Sequence, residues 1–317
     1  MTKVYITDYI SNPDVEKKIL GKNLSTKIHN NVSILLVWHQ KINKKYIDKF
    51  PNLKAVIRYG VGYDNIDLKE LKKRKIIFCN TPDYGVDEVS DTSIAMILNA
   101  VRGINEYNIC GKLLVNNWQE NIIKSIKRIS NLNLGVIGAG RIGSAVLLKA
   151  KALNFNTFFY DPYKEHGYEK TLNSKRFDKL DNLLTKCHII SIHTPLTNET
   201  QGLVNKNFIK KLKKNCIFIN TARGEIVENL DYLYDGLISK KLSFVALDVL
   251  PNETVPIKSS KLINAWKNDN KLSGKIIINP HASYYSKEAF LEMRNKTAQN
   301  ALRILKKLKP KNIISYE

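Results

Sequence analysis

The sequence predicts an α/β fold built on doubly wound parallel sheets. Three observations carry that reading. Short apolar runs recur along the chain with helical periods between them, as strands buried on both faces require. One run, Leu134 to Ile137, opens onto Gly138, Gly140 and Gly143 in G-x-G-x-x-G spacing, and a helical period from Ile142 follows. A further run, Thr157 to Tyr160, then ends at Asp161, close to the roughly 20-residue spacing at which such turns place a carboxylate.

The three glycines have separate jobs. One allows a tight turn, one lets the main chain approach a pyrophosphate, and one lets the helix pack closely on the strand. The helix opening at Arg141 and Ile142 points unpaired N–H groups and a positive dipole end at that pyrophosphate. A glycine pattern alone would fit a turn in many α/β proteins, with Asp161 a solvated loop acid. Strand, turn, helix, strand and acid in this order identify a Rossmann-type site for a nicotinamide dinucleotide. Asp161 followed by Pro162, with no arginine beside it, favours NAD over NADP, although Lys164 lies nearby.

In chain order, strands are expected at Val4–Thr7, Ile34–Trp38, Ala55–Tyr59 and Ile76–Cys79. Helical patterns fall between them around Val15–Leu20, Ile42–Phe50 and Leu68–Lys73, implying a parallel sheet with right-handed crossovers. Tyr59-Gly60-Val61-Gly62-Tyr63-Asp64 closes one strand with two glycines, either an ordinary turn or main-chain N–H groups left to meet a ligand. A long helix begins near Val86 and reaches Arg102-Gly103, with Asp87 and Glu88 suited to its positive end. The segment to Asn133 is helical, then irregular, with Trp118 as its expected anchor.

Beyond the glycine turn, strands recur at Ile189–Ile192, Ile217–Asn220, Phe244–Asp248 and Ile276–Asn279. With the first two this makes a six-stranded sheet, whose ligands bind beyond the strand carboxyl ends. Four groups therefore become informative: His193-Thr194-Pro195, Thr221-Ala222-Arg223-Gly224, Asp248-Val249 and Pro280-His281-Ala282. A last helix runs from Ser286 to about Leu308, and Pro310 stops it.

At 317 residues the chain can hold one or two domains, and 43% hydrophobic residues is ordinary for a globular protein. No apolar run approaches the ~20 residues of a membrane span. The start, MTKVYITD, leads into a strand and lacks a signal-peptide layout. The four cysteines form no C-x-x-C pair, no metal signature is present, and a reduced cytoplasmic protein is expected. The net charge of +22 could attract nucleic acid. Lysine is spread along the whole chain, however, so we read a compositional bias and expect no nucleic-acid or membrane partner.

Arg223, Glu253 and His281 stand out as ionisable groups at strand ends. Reducing a 2-oxo acid requires a cation to hold the carboxylate and polarise the carbonyl, which arginine's planar fork suits. It also requires an acid working near neutral pH, which histidine suits, and a carboxylate beside the ring stabilises the imidazolium. Singly, each residue could be a surface ion pair, a solvated acid or a hydrogen-bonded strand end.

Here the residues carry a resemblance. RYGVGYDNID (58–67), NTPDYGVDEVSDTSIAMIL (80–98), GAGRIG (138–143), YDP (160–162), NTARGEIV (220–227), ALDV (246–249) and NPHASYYSKEA (279–289) resemble the D-isomer-specific 2-hydroxyacid dehydrogenases across essentially the whole chain. Within that family the chain looks most like bacterial relatives of the C-terminal-binding-protein corepressors. The resemblance implies two doubly wound parallel-sheet domains with an interdomain cleft. A substrate domain would comprise 1–101 and the returning helix in 286–317, and a Rossmann NAD-binding domain 102–285. It implies Arg223, Glu253 and His281 as the catalytic set. At Glu253 the chain departs from the family pattern: the proline expected after it is Thr254, and Pro251 is displaced.

The resemblance further implies that Val61 and Gly62 hold the substrate carboxylate, and that Thr194, Pro195, Thr221, Ala222, Arg223, Asp248 and His281 line NAD with the glycine turn. Tyr284 would face the substrate side chain, and with Tyr63, Tyr84 and Tyr285 favours a medium or aromatic 2-oxo acid over glyoxylate. The same tyrosines could simply pack inside the protein. A homodimer through the NAD-binding domain is expected. The function implied is NAD-dependent transfer of a hydride between a 2-oxo acid and a D-2-hydroxy acid. An NAD-sensing, corepressor-like binding protein is the alternative.

Overall fold

A computed structural model of the protein describes residues 3–113, 118–120, 123, 126–253 and 260–315. The chain divides into two compact units, Met1–Gly85 with Tyr285–Glu317, and Val86–Tyr284.

The first unit holds a parallel sheet of β1 (Lys3–Ile6), β2 (Leu24–Ser25), β3 (Val32–Val37), β4 (Ala55–Arg58) and β5 (Ile77–Cys79), in the order β2-β1-β3-β4-β5. The central strand β3, VSILLV, is buried at every position, as a strand covered on both faces must be. The helix Lys287–Leu305 begins where the Ser286 hydroxyl accepts the Ala289 N–H at 2.9 Å, and it buries Ala289, Met293, Ala298 and Ala301. It packs on the helix Asp14–Leu20 of the same unit. There Arg294 meets Glu16 through Nη2 to Oε2 at 2.6 Å and Nε to Oε1 at 3.0 Å. The Tyr59 hydroxyl donates to the same Glu16 carboxylate.

The second unit holds β6 (Asn133–Ile137), β7 (Asn156–Tyr160), β8 (Lys175–Arg176), β9 (Ile189–Ile192), β10 (Cys216–Asn220), β11 (Leu242–Leu247) and β12 (Ile276–Ile278). They form one parallel sheet in the order β12-β11-β10-β9-β6-β7-β8. The order reverses between β9 and β6, which sets a crevice at their carboxyl ends.

Four expectations are corrected. The second sheet has seven strands, not six, because the two-residue β8 adds an edge, just as β2 does in the first sheet. The units divide before Val86, not after Val101: Ile94, Ile97 and Val101 of the helix Val86–Arg102 share a core with Leu134, Val136 and Val146. Lys149 reinforces that packing through Asp91 at 2.6 Å and the Ser90 hydroxyl at 2.7 Å. The helix expected over Ile42–Phe50 is confined to Lys44–Ile47, since Asn43 caps it and Ile42 bridges to Ile66. Trp118 is 74% exposed and anchors no core; its ring rests on Gly111.

Among the described residues, no helix is long and apolar enough to cross a membrane, and no cluster of histidine, cysteine or acidic side chains could hold a metal.

Candidate active site

The glycine turn follows β6. Gly138 has φ +91°, and a Cβ there would strike the His193 carbonyl carbon at 2.9 Å. Gly143 is still more constrained: a Cβ would meet the Gly138 oxygen at 1.9 Å, so only glycine lets the helix Arg141–Ala152 seat against the turn. Gly140 is different. Its φ is −74°, and among the described residues a Cβ would meet nothing within 4 Å and no side chain caps the helix that starts there. Arg141 is exposed and Ile142 half-buried in the first turn. Bare main chain, uncapped N–H groups and open space fit a dinucleotide pyrophosphate.

Asp161, after β7, is buried and held from two sides. Its Oδ2 accepts the Ala139 N–H at 2.8 Å and its Oδ1 the Tyr163 N–H at 3.0 Å. Asp161 is thus tied to the glycine turn itself. After β9, the Thr194 hydroxyl is buried with no hydrogen-bond partner among the described residues, and a Cβ on Gly138 would meet its methyl at 2.8 Å. Pro195 is exposed and accepts from the Thr200 hydroxyl through its carbonyl. Burial pushes His193 down to about 3, which leaves a neutral imidazole 2.8 Å from the Ser191 hydroxyl.

After β10, the buried Asn220 folds the next turn around its own side chain. Its Oδ1 accepts the Ala222 N–H at 3.0 Å and its Nδ2 donates to the Arg223 carbonyl at 2.9 Å. Arg223 donates through Nη1 to the Ala222 oxygen at 2.8 Å. The Thr221 hydroxyl lies 2.9 Å from that of Ser93. Ser93 gives its proton to the Val89 carbonyl, so Thr221 is the donor of that pair.

After β11, Asp248 organises the histidine loop. Its carbonyl accepts the His281 N–H at 2.8 Å, and its buried carboxylate accepts the N–H groups of Ala282 and Ser283 at 3.0–3.1 Å. These bonds hold His281 at φ +52°, a left-handed conformation that costs a non-glycine residue of order 1 kcal/mol or more. The Nδ1 of His281 then lies 2.8 Å from Glu253 Oε2, and Glu253 Oε1 accepts the Leu250 N–H at 3.2 Å. Burial works to raise the Glu253 pKa, but the His281 hydrogen bond and charge, the Leu250 N–H and the Arg223 charge outweigh it and hold it low. Gly224 lets this loop approach, since a Cβ there would overlap Leu250 at 2.0 Å. The Tyr284 ring meets the His281 ring edge-on at 6.3 Å.

The chain ends of β6, β7, β9, β10, β11 and β12 therefore carry, within one unit, every candidate residue except Tyr63, Tyr84 and Tyr285 and the pair Val61 and Gly62. Those two lie in the first unit, where the Asn80 side chain donates to the Val61 carbonyl at 2.8 Å and Gly60 has φ +115°. Thr254, where the family pattern has proline, lies outside the described residues.

Residues 94–283 match the model of the D-isomer specific 2-hydroxyacid dehydrogenase NAD binding domain. The chain belongs to the D-isomer-specific 2-hydroxyacid dehydrogenase family. It is 30% identical to the glyoxylate reductase of Thermofilum pendens over 301 residues, covering 93% of this chain and 85% of that one. It is also 30% identical to the glyoxylate reductase of Korarchaeum cryptofilum, covering 87% and 80%. The structure of D-lactate dehydrogenase from Aquifex aeolicus, complexed with NAD and lactic acid, superposes with TM-score 0.83 at 28% identity over 96% of both chains. This dehydrogenase uses NAD and transfers a hydride between a 2-oxo acid and a 2-hydroxy acid.

Sequence reasoning missed Asn220, Ser93 and the part Asp248 plays in shaping the histidine loop. Asn220 carried a signal, since an asparagine closing a strand favours a side-chain-bonded turn. Ser93, far away in sequence and inside a helix, carried none.

Proposed function

We propose that Arg223, Glu253 and His281 carry the chemistry of this dehydrogenase. The observation that supports it best is the 2.8 Å contact between His281 Nδ1 and Glu253, on a loop strained to present that ring. A carboxylate on Nδ1 fixes the tautomer and leaves Nε2 to hold the proton destined for the substrate oxygen.

Bound NADH supplies the hydride; this chain supplies position, charge and a proton. The N–H groups at Gly140, Arg141 and Ile142 would hold the pyrophosphate of NAD, and Asp161 its adenosine ribose. Thr194, Pro195, Thr221, Ala222 and Asp248 would line the rest. The Arg223 guanidinium binds the substrate carboxylate and polarises the 2-oxo group as charge develops on its oxygen. His281 delivers its proton there, and in the oxidative direction takes it back. Glu253 orients the imidazole through Nδ1. Val61 and Gly62 offer main-chain N–H groups to a carboxylate.

The Tyr284 ring beside His281 supports a substrate with a medium or aromatic side chain. Glyoxylate is the second reading, which the names of the two curated relatives favour. We also assign a homodimer through the NAD-binding unit and a cytoplasmic setting. Following NADH oxidation over a panel of 2-oxo acids, with chiral analysis of the product, tests the activity. A D-hydroxy acid is expected; an L-product, or no oxidation with any acid, would contradict the reading.

A further inference from the structure

Two exposed side chains form a bridge across the glycine turn. Tyr163 follows β7 and Glu199 follows β9, the strands on either side of β6. The Tyr163 hydroxyl donates to Glu199 Oε2 although Tyr163 is 76% exposed. Neither end is loose. The Tyr163 N–H is held by Asp161, and the Glu199 loop is knotted by the Thr200 hydroxyl, which donates to the Pro195 carbonyl at 2.6 Å and accepts the Thr197 N–H at 2.8 Å. The hydrogen bond to Glu199 holds the Tyr163 phenol above its ordinary pKa, and the Asp161 charge acts in the same direction.

Two nearby cations have other partners. Lys164 sits over the Tyr168 ring at 4.7 Å. Arg176 donates through Nη1 to the Lys164 carbonyl at 2.7 Å and pairs with Asp178 at 3.1 Å. Asp161 thus holds the Tyr163 N–H and Glu199 its hydroxyl, and Lys164 and Arg176 are engaged with other partners. A ribose bound by Asp161 would lie beside this bridge, and a phosphate on its 2′-hydroxyl would add about two negative charges there.

We propose that Tyr163 and Glu199 form a clasp over the adenosine end of the dinucleotide, in which Glu199 acts as a second carboxylate that excludes a 2′-phosphate. The proposal rests on NAD occupying the ends of β6 and β7. It assigns cofactor selectivity to two residues outside the glycine fingerprint, one of them far from Asp161 in sequence. Tyr163 is a positioning residue: it holds the Glu199 carboxylate across the turn.

Calorimetric titration of the full-length protein with NADH and with NADPH, at low salt and without substrate, tests this. Glu199→Gln is expected to tighten NADPH about fivefold or more, the size of one exposed charge contact, while NADH changes less than about twofold. Glu199→Lys should narrow the ratio further. Tyr163→Phe, which keeps the ring but frees the carboxylate, should narrow it less than Glu199→Gln does. Added salt should bring the unmodified protein toward Glu199→Gln, because exposed charges are screened. A ratio of the two dissociation constants that stays unmoved in Glu199→Lys, or parallel changes in both, would overturn the clasp. NADH binding would survive in that case. No heat with NADH for the unmodified protein would instead overturn both the clasp and the cofactor site beneath it.

Discussion

Glu253 Oε2 lies 2.8 Å from Nδ1 of His281, although 28 residues separate the two side chains in the sequence. The contact exists because Asp248 pins the histidine loop by three main-chain N–H groups and Gly224 lets the Glu253 loop close down.

Glu253 holds the His281 ring through Nδ1, so Glu253→Gln should lower kcat/KM for 2-oxo acid reduction and remove from its pH profile the acidic-limb fall that follows protonation of Glu253. The Glu253 pKa is held low, so its stabilising contact is present above the ordinary carboxylate range and lost as pH falls through the lowered value. Superimposable profiles for the two proteins would separate Glu253 from the chemistry.

Gly140 and Gly143 should part company. Gly143→Ala drives a Cβ into the Gly138 oxygen and should destabilise the protein by several kcal/mol or abolish its folding. Gly140→Ala adds a methyl where the chain has open space at a permitted φ, so its Tm should hardly change. It should nevertheless weaken NADH binding at least tenfold, because the methyl would occupy the proposed pyrophosphate cradle. Thermal melts and NADH titrations of both variants check the pair, and unimpaired NADH binding by Gly140→Ala would misplace the cofactor.

Glu16 is fully buried and Arg294 nearly so. Breaking such a pair leaves one charge uncompensated and typically costs about 3–5 kcal/mol. Arg294→Ala should therefore lower the denaturation midpoint far more than Asp14→Ala, since Asp14 is mostly exposed. A midpoint unchanged by Arg294→Ala would mean that the helix Lys287–Leu305 is held by its apolar face alone.

Cysteine reactivity should follow burial. Burial pushes Cys79 to about 11 and Cys187 to about 12, and raises Cys216 further. Cys110 is the half-buried one. Rapid labelling of the native protein with a thiol reagent should modify Cys110 alone, and the other three only after unfolding. Fast reaction of Cys187 in the native state would contradict the packing around Leu183 and Ile190.

Much of this architecture was legible. The central strands announce themselves as apolar runs because both their faces are covered, and the dinucleotide turn is legible because Gly138 and Gly143 permit no other residue. The edge strands β2 and β8 were not, being two residues long with partly exposed side chains. Nor was the domain break: Val86–Arg102 is one continuous helix, and only its packing against Val136 and Val146 assigns it to the second unit. Arg223, Glu253 and His281 could be named from strand ends, but their mutual geometry depends on loop contacts that no local pattern encodes. A left-handed histidine is among the least predictable of these, because local sterics disfavour it and Asp248 imposes it from 33 residues away.

The central claim is that His281 moves the proton while other residues hold the cofactor. Its most direct test is His281→Ala, assayed for turnover with the best 2-oxo acid and separately titrated with NADH by fluorescence. Loss of a general acid removes ~10²–10⁴-fold of the rate, so kcat should fall by that factor while the NADH dissociation constant stays within about threefold. A variant that keeps most of its kcat, or that loses NADH binding in proportion to activity, would contradict the account.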